Sequence, residues 1–414
     1  MNVLVIGYVW PEPASSAAGY RMLALLDTFI EQGWQVTFAS PAEKSVHRID
    51  LPARGIREES IQLNNSSFDA FVQSVNPDLV MFDRFMMEEQ FGWRVAKYCP
   101  DALRILDTED LFSLRYARHE HFKKTGEINP PVTPELLFTE NAQREIASIY
   151  RSDLTLMISE AEMQILEKLF NVDSSLLLYN PFMLPVISSE KQTQLPAFAE
   201  RQHFICIGNF RHAPNWDAVR YLKESIWPGI RKQLPDAELH IYGAYPPKKA
   251  TQLHNDKQGF LVKGWAEDAY EVMRHARVNL APLRFGAGLK GKLVDAMACG
   301  TPSVTTSIGA EGMGSEEAWQ PQCFDHAEAF IDAAVRHYTH NEQWASAREK
   351  GFELHNQLFN LTQHQQQLVD RIKGLRENFK QHRLNNFTGA MLNHHHHKST
   401  QYMAQWIEAK NRNQ

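Results

Sequence analysis

With 414 residues, 43% of them hydrophobic and 22% charged, the chain has the balance of an ordinary globular protein and is too long for one compact core, so two domains are expected. A net charge of −6 argues against a nucleic-acid partner, whose binding shows as a basic surface. Cys99, Cys206, Cys299 and Cys323 are scattered without disulfide or metal-ligand spacing and read as reduced thiols. No run approaches the roughly 20 apolar residues that cross a bilayer. The chain opens on a strand rather than a basic leader, which implies a cytoplasmic protein with peripheral contact at the inner membrane face left open.

The first strand, Val3 to Ile6, runs into a loop from Gly7 to Gly19. A helix from Tyr20 to Gln32 follows, with Leu23, Leu26 and Ile30 spaced for one face; Gly33 ends it before a strand over Gln35 to Ala39. Leu79 to Phe82, Leu103 to Leu106 and Leu154 to Ile158 continue as short apolar runs, the pattern of buried parallel strands. Ser159 and Glu162 have the spacing of a capping box at the start of SEAEMQILEKLF. Two strand ends carry charge that would face a ligand: Asp83 and Arg84, then Asp107 and Asp110. Each also has a local reading, an ion pair for the first and N-capping of the helix LFSLRYAR for the second.

A polar stretch, Ser188 to Gln202, separates this half from a second one that restarts the alternation. Phe204 to Ile207 reads as a strand, Gly208 to Asn215 as a loop, Trp216 onward as a helix, and Glu238 to Tyr242 and Gly259 to Gly264 continue the series. The organisation expected is a first domain over 1–187, a linker over 188–202, a second domain over 203–352 and a helical C-terminal segment over 353–414. Strand Ala276 to Leu283 then feeds RFGAGLKGKLVDAMACGTPSVTT, Arg284 to Thr306. Gly286 and Gly288 permit a tight turn. A helix follows from near Lys290, with Leu293, Val294, Ala296 and Met297 as its buried stripe and Gly300 and Pro302 as its stop. The N-terminus of such a helix is an anion site; Lys290 and Lys292 add full charges suited to a diphosphate, and Asp295, one turn deeper, suits ribose hydroxyls. The plainer reading is an ordinary helix with a Lys292–Asp295 pair at i,i+3.

Taken in order, AAGYRMLALL, IGNFRHAPNWDAVRYL, LHIYG, VKGWAED and APLRFGAGLKGKLVDAMACGTPSVTT make the stretch from Met1 to Leu358 resemble the retaining, nucleotide-sugar-dependent glycosyltransferases of the GT-B fold, the group 1 or family 4-like enzymes. The resemblance implies an α/β protein of two Rossmann-like, doubly wound domains facing a cleft, with the donor on the second domain and the acceptor on the first. It implies no tightly bound cofactor and no metal, the nucleotide sugar being a co-substrate. Carried over by position, Lys290 and Lys292 would hold the donor diphosphate and Asp295 the ribose. Gly288 and Leu289 would offer amides to the phosphates, and Gly19 would let backbone approach the sugar or the β-phosphate. Relatives carry an arginine and a lysine where this chain has Asn209 and Pro214, a loss for which Arg211 and Arg284 could compensate. Lys292 would stabilise the departing phosphate, Asp107 and Asp110 would act on the acceptor hydroxyl, and Asp83 and Arg84 would hold the acceptor. Ala287 replaces the first of the paired glutamates, and Phe112 stands where relatives place a histidine; His119 and His121 read as helix-surface residues. The departing phosphate would itself help to take the acceptor proton.

The polar tail could cross back to the first domain, as it does in relatives. His394 to His397 spread around a helix and read as surface rather than as a metal site. STQYMAQWIEAK reads as a short helix whose Tyr402, Met403 and Trp406 could touch a membrane, an acceptor or a second subunit. The function implied is transfer of a sugar to a glycan, glycolipid or related acceptor, as in polysaccharide biosynthesis. The alternatives are a non-catalytic sugar-nucleotide or glycan-binding protein, which Ala287 and Phe112 favour, and a sugar-nucleotide 2-epimerase.

Overall fold

The computed structural model describes residues 1–412, apart from the side chains of His396, His397, Lys398 and Arg412. Its core is two parallel sheets. The first contains β1 (Asn2–Ile6), β2 (Gln35–Ser40), β3 (Arg57–Ser60), β4 (Leu79–Asp83), β5 (Leu103–Asp107), β6 (Leu154–Met157) and β7 (Leu177–Tyr179) in the order β3-β2-β1-β4-β5-β6-β7. The second contains β8 (Gln202–Ile207), β9 (Leu239–Tyr242), β10 (Phe260–Gly264), β11 (Ala276–Ala281) and β12 (Ser303–Thr305) in the order β10-β9-β8-β11-β12. β4, β5 and β6 are buried along their whole length, as continuous apolar runs covered by helices on both faces should be. Strand order reverses at β1/β4 in one sheet and at β8/β11 in the other, and ligands of doubly wound sheets bind at such switch points.

The first helix is Ala17–Glu31, started by Ser16, whose Oγ accepts the Gly19 N–H at 3.1 Å. It buries Met22, Leu25, Leu26 and Phe29, while Leu23 and Ile30 of the expected stripe are only half-buried. The stripe is displaced because Arg21 also points inward. Helix Asn341–Leu358 runs unbroken through position 353 and packs on the second sheet's helix Gly291–Ala298. Beyond Phe359 the chain returns to the first sheet: Leu368, Ile372 and Leu375 of helix Leu361–Asn385 join Val3, Val5 and Leu103 in one core. Each such side chain contributes about 1.5–3 kcal/mol on burial, so the tail is part of the first domain's fold. The last helix, Phe387–Arg412, covers helices Phe85–Tyr98 and Glu140–Arg151. Among the described residues, no helix is long and apolar enough to cross a membrane.

Candidate active site

The carboxyl ends of both sheets face a single cleft of about 470 Å³, within the range of pockets that hold small ligands. Two helix N-termini meet in its wall. A Cβ on Gly291 would lie 2.4 Å from the Cβ of Ala17, so glycine is what lets helix Gly291–Ala298 approach helix Ala17–Glu31 this closely. Unpaired N–H groups and the positive ends of both dipoles are thereby concentrated on one spot.

Lys292 stands beside that spot. Its Nζ donates to Asn215 Oδ1 at 2.8 Å, and Asn215 Nδ2 donates to the Asn209 carbonyl at 3.0 Å. Burial pushes the Lys292 ammonium below its usual pKa. Asp295 lies deeper in the cleft wall, hydrogen-bonded to Tyr270; burial lifts its carboxyl to about 7. The Lys292–Asp295 pair of the plainer reading therefore gives way to two separate partners. Lys290, the N-cap residue, turns back to the loop carbonyls of Ala287 at 3.1 Å and Gly288 at 2.5 Å.

Four expected donor contacts sit differently. Gly288 has φ +64°, but its N–H donates to Glu162 Oε1 at 2.6 Å, so that amide is directed at a carboxylate of the first domain. Gly19 is required by a different neighbour: a Cβ there would meet the Glu12 backbone at 2.5 Å. Arg211 lies 3.6 Å over the Tyr245 ring, and Arg284 forms a forked pair with Asp217 at 2.6 and 2.8 Å; neither lines the cleft. Leu289 does line it.

On the opposite wall the strand ends of β4 and β5 are strained. Arg84 has φ +71° and ψ 156°, a region almost reserved for glycine, and Glu109 has φ +63°. Both line the cleft together with Asp110, whose Oδ2 accepts from Arg115 at 2.8 Å. Burial first, and then the Asp107 charge, raise the Glu109 carboxyl to about 8. Arg84 was named from sequence, but the strain at both positions and the reach of Glu109 were not; Glu109 stands in the LDTED run, and which of its carboxylates reaches the cleft depends on one backbone angle.

Asp107 is placed below the cleft floor. It is completely buried, and Arg21 Nη1 donates to its two oxygens at 2.5 and 2.6 Å. It does not line the cleft, and its carboxylate is taken up by Arg21. Asp83 is likewise buried and accepts the Tyr8 N–H at 2.9 Å, with Arg84 Nε at 3.6 Å, while Arg84 itself reaches the cleft. The capping reading of Asp107 and Asp110 also fails. Glu145 accepts the N–H groups of Phe112 and Ser113, both at 2.9 Å, and so caps that helix from another element. Phe112 packs between Phe85 and Tyr116. A residue not singled out from sequence, His212, the N-cap of helix Ala213–Tyr221, faces the cleft; its desolvation there, with Arg115 beside it, lowers its pKa.

The two halves are joined by more than this wall. Arg118 donates two hydrogen bonds of 2.7 Å to Glu311, and His119 stacks on Phe285 with centroids 4.2 Å apart. The capping box expected of Glu162 is absent: Ser159 makes no side-chain cap, and the Glu162 carboxylate crosses instead to Gly288. Burial raises that carboxyl to about 8. Among the described residues, no group of three or more His, Cys, Asp and Glu side chains is arranged to hold a metal ion; His394 and His395 are exposed on the last helix, and the His396 and His397 side chains lie outside the described residues.

Two doubly wound sheets across one cleft, with a tail that recrosses to the first, define the GT-B class of fold. The chain superposes on sucrose-phosphate synthase from Thermosynechococcus elongatus with a TM-score of 0.65 and 15% identity, covering 91% of this chain and 99% of that one. It superposes on Anabaena HepE in complex with UDP and glucose (0.63, 13%, 90% and 99%), and on WaaG, a glycosyltransferase involved in lipopolysaccharide biosynthesis (0.58, 13%, 90% and 100%). At these identities the likeness establishes the fold. No curated protein matches the sequence significantly. Residues 201–340 match the family model of glycosyl transferases group 1, which spans the second sheet and the helix bearing Lys292 and Asp295. The family match thus concerns the second half of the chain, and the fold of the whole is that of the GT-B glycosyltransferases.

Proposed function

We propose that the protein moves a sugar from a nucleoside diphosphate sugar to a hydroxyl of a glycan, glycolipid or related acceptor, with retention of anomeric configuration. The observation that carries this reading is the convergence of two helix N-termini, at Ala17 and Gly291, beside Lys292 inside the cleft. That arrangement suits a diphosphate, with Asp295 and Tyr270 one turn deeper for the ribose hydroxyls. The sugar then faces Arg84, Glu109 and Asp110, and the acceptor enters on their side. In the transfer step the bond between the anomeric carbon and the β-phosphate oxygen breaks. The acceptor oxygen bonds to the anomeric carbon on the same face, and its proton passes to the departing phosphate oxygen. Negative charge grows on the phosphate as the bond breaks; Lys292 and the two helix termini meet it in a site already desolvated. Lys290 holds the Ala287–Gly288 loop in shape, and Asp110 and Glu109 orient the reacting hydroxyls. Positive charge comes from the protein itself, so the reading requires neither a metal nor a tightly bound cofactor, and a nucleotide-sugar substrate fits a cytoplasmic setting.

HepE crystallised with UDP-glucose makes uridine donors the first probes. Thermal shift with UDP-, GDP-, ADP-, CMP- and dTDP-sugars should show one class that raises the melting temperature by mass action, an effect lost in Lys292→Ala. NMR of the product made from an α-linked donor should show an α-linkage; a β-product would overturn retention. Binding without hydrolysis or transfer would identify a binding protein instead, and release of a free 2-epimer would identify an epimerase.

A further inference from the structure

Arg84 holds a costly backbone conformation, and its side chain draws no hydrogen bond from the protein in return. Its φ of +71° and ψ of 156° fall where essentially only glycine is at ease. The Arg84 N–H donates to the Asp107 carbonyl at 2.7 Å, which ties this turn to the end of β5. The turn delivers the side chain to the cleft, where 26% of it is exposed. Among the described residues, nothing accepts a hydrogen bond from its guanidinium: Asp83 Oδ1 stands 3.6 Å from Nε and is itself unbonded. The Tyr8 ring supports the guanidinium instead, its centroid 5.0 Å from Cζ. Strain of this kind, spent on aiming a cation with free donors into a cleft, points to a ligand.

Arg115 repeats the arrangement from another element. It stands on helix Phe112–Thr125, lines the cleft, and lies 5.3 Å over the Phe112 ring. One side-chain hydrogen bond, from Nη1 to Asp110 Oδ2 at 2.8 Å, leaves most of its five N–H groups free. A guanidinium stacked on a ring keeps its plane fixed and its edge donors outward. The two side chains share neighbours. The Asp110 charge reaches both, and His212, whose pKa burial lowers first, is lowered further by Arg115 and Arg84 together. Charge indicates the ligand. Asp110 answers one of the two guanidiniums, while burial and then the Asp107 charge raise Glu109 to about 8, which leaves it protonated at neutral pH. With Lys292 assigned to the diphosphate, one positive charge remains, the match for a monoanion. A carboxylate supplies that charge and the planar pair of oxygens that a guanidinium fork bonds, whereas a phosphate monoester carries about 1.5–2 charges at pH 7. A neutral sugar would leave both guanidiniums desolvated and short of acceptors. We propose that Arg84 and Arg115 set acceptor specificity and that the sugar they receive carries a carboxylate, as a uronic acid does; this builds on the transfer reading and names the class of its acceptor.

The test is NMR titration of the full-length protein with methyl glucuronide against methyl glucoside, and methyl galacturonide against methyl galactoside, each with and without UDP. In at least one pair the acid should bind about tenfold or more tightly than its neutral partner. Arg84→Gln and Arg115→Gln should each bring that preference close to one. Arg84→Gly separates recognition from structure: it should lose the preference while the melting temperature holds or rises, because glycine relieves the strain. A fall in melting temperature in Arg84→Gly would show a structural role and overturn the proposal. No acid preference in either pair would overturn it too, as would a preference that survives both glutamine variants. Tighter binding of glucose 6-phosphate than of the glucuronide would assign the two arginines to a phosphate instead. If the variants weaken UDP-glucuronate relative to UDP-glucose and leave the methyl glycosides unaffected, the acid belongs to the donor, and the proposal fails. The preference is read without nucleotide and without turnover, so its failure is separate from failure of the transfer reaction.

Discussion

Helices Ala17–Glu31 and Gly291–Ala298 meet end to end in the cleft, yet they use their charges in opposite ways. The first turns Arg21 inward, where it is sealed with Asp107 beneath the cleft floor. The second turns Lys292 and Asp295 to the cleft wall, each on an uncharged partner, Asn215 and Tyr270, that a ligand can supplement. One helix fixes its ion in a closed pair; the other keeps its ions available. The contrast shows that a shared α/β plan says little about which charged residues meet substrate. What decides it is whether the opposite charge is already supplied from within.

The largest effect should come from breaking the closed pair. Asp107→Ala leaves Arg21 buried without its carboxylate and should cost about 3–5 kcal/mol of stability in urea titration; if Asp107 instead served acceptor chemistry alone, stability would hold and only turnover would fall. Next comes Lys292→Ala, which should lower kcat/KM by about 10²–10³, roughly 3–4 kcal/mol of transition-state stabilisation, without lowering Tm. A smaller effect sharpens the donor side. Burial raises Asp295 to about 7, and the ionised form is the better acceptor of ribose hydroxyls, so donor affinity should climb from pH 6 to pH 8 and level off above. Calorimetry on Asp295→Asn should give a flat profile, weaker by about tenfold at pH 8. The smallest effects belong to Arg284→Gln and Arg211→Gln, about 1 kcal/mol or less in donor affinity, because these cations already sit on Asp217 and Tyr245. A large loss in either would show that they swing into the cleft on binding.

Much of the frame was legible in the chain. The apolar runs of β1, β4, β5 and β11, the helix stop at Gly300 and the buried stripe Leu293–Val294–Ala296–Met297 follow from period and punctuation alone. Position was legible for Lys292 and Asp295, whose spacing on one helix brings both to the cleft wall. What a side chain bonds was hidden wherever the partner lies far along the chain, as Asn215 does from Lys292. Glu162 looks like a local cap and reaches Gly288, 126 residues away; Glu145 caps a helix that Asp107 and Asp110 seemed placed to cap; Arg284 finds Asp217. The strain at Arg84 and Glu109 was hidden for another reason, since neither residue type signals a positive φ.

The most direct test of the diphosphate position uses Ala18, in the first turn of helix Ala17–Glu31 and on the cleft wall. Ala18→Asp puts a carboxylate where it stabilises a helix N-terminus by about 0.3–1 kcal/mol but repels a diphosphate. Calorimetric titration with the nucleoside diphosphate that the wild type binds should show affinity reduced at least about tenfold while the melting temperature of the free protein stays level or rises. Undiminished affinity in a folded Ala18→Asp protein would contradict the account, because the diphosphate could not then lie between the two helix ends.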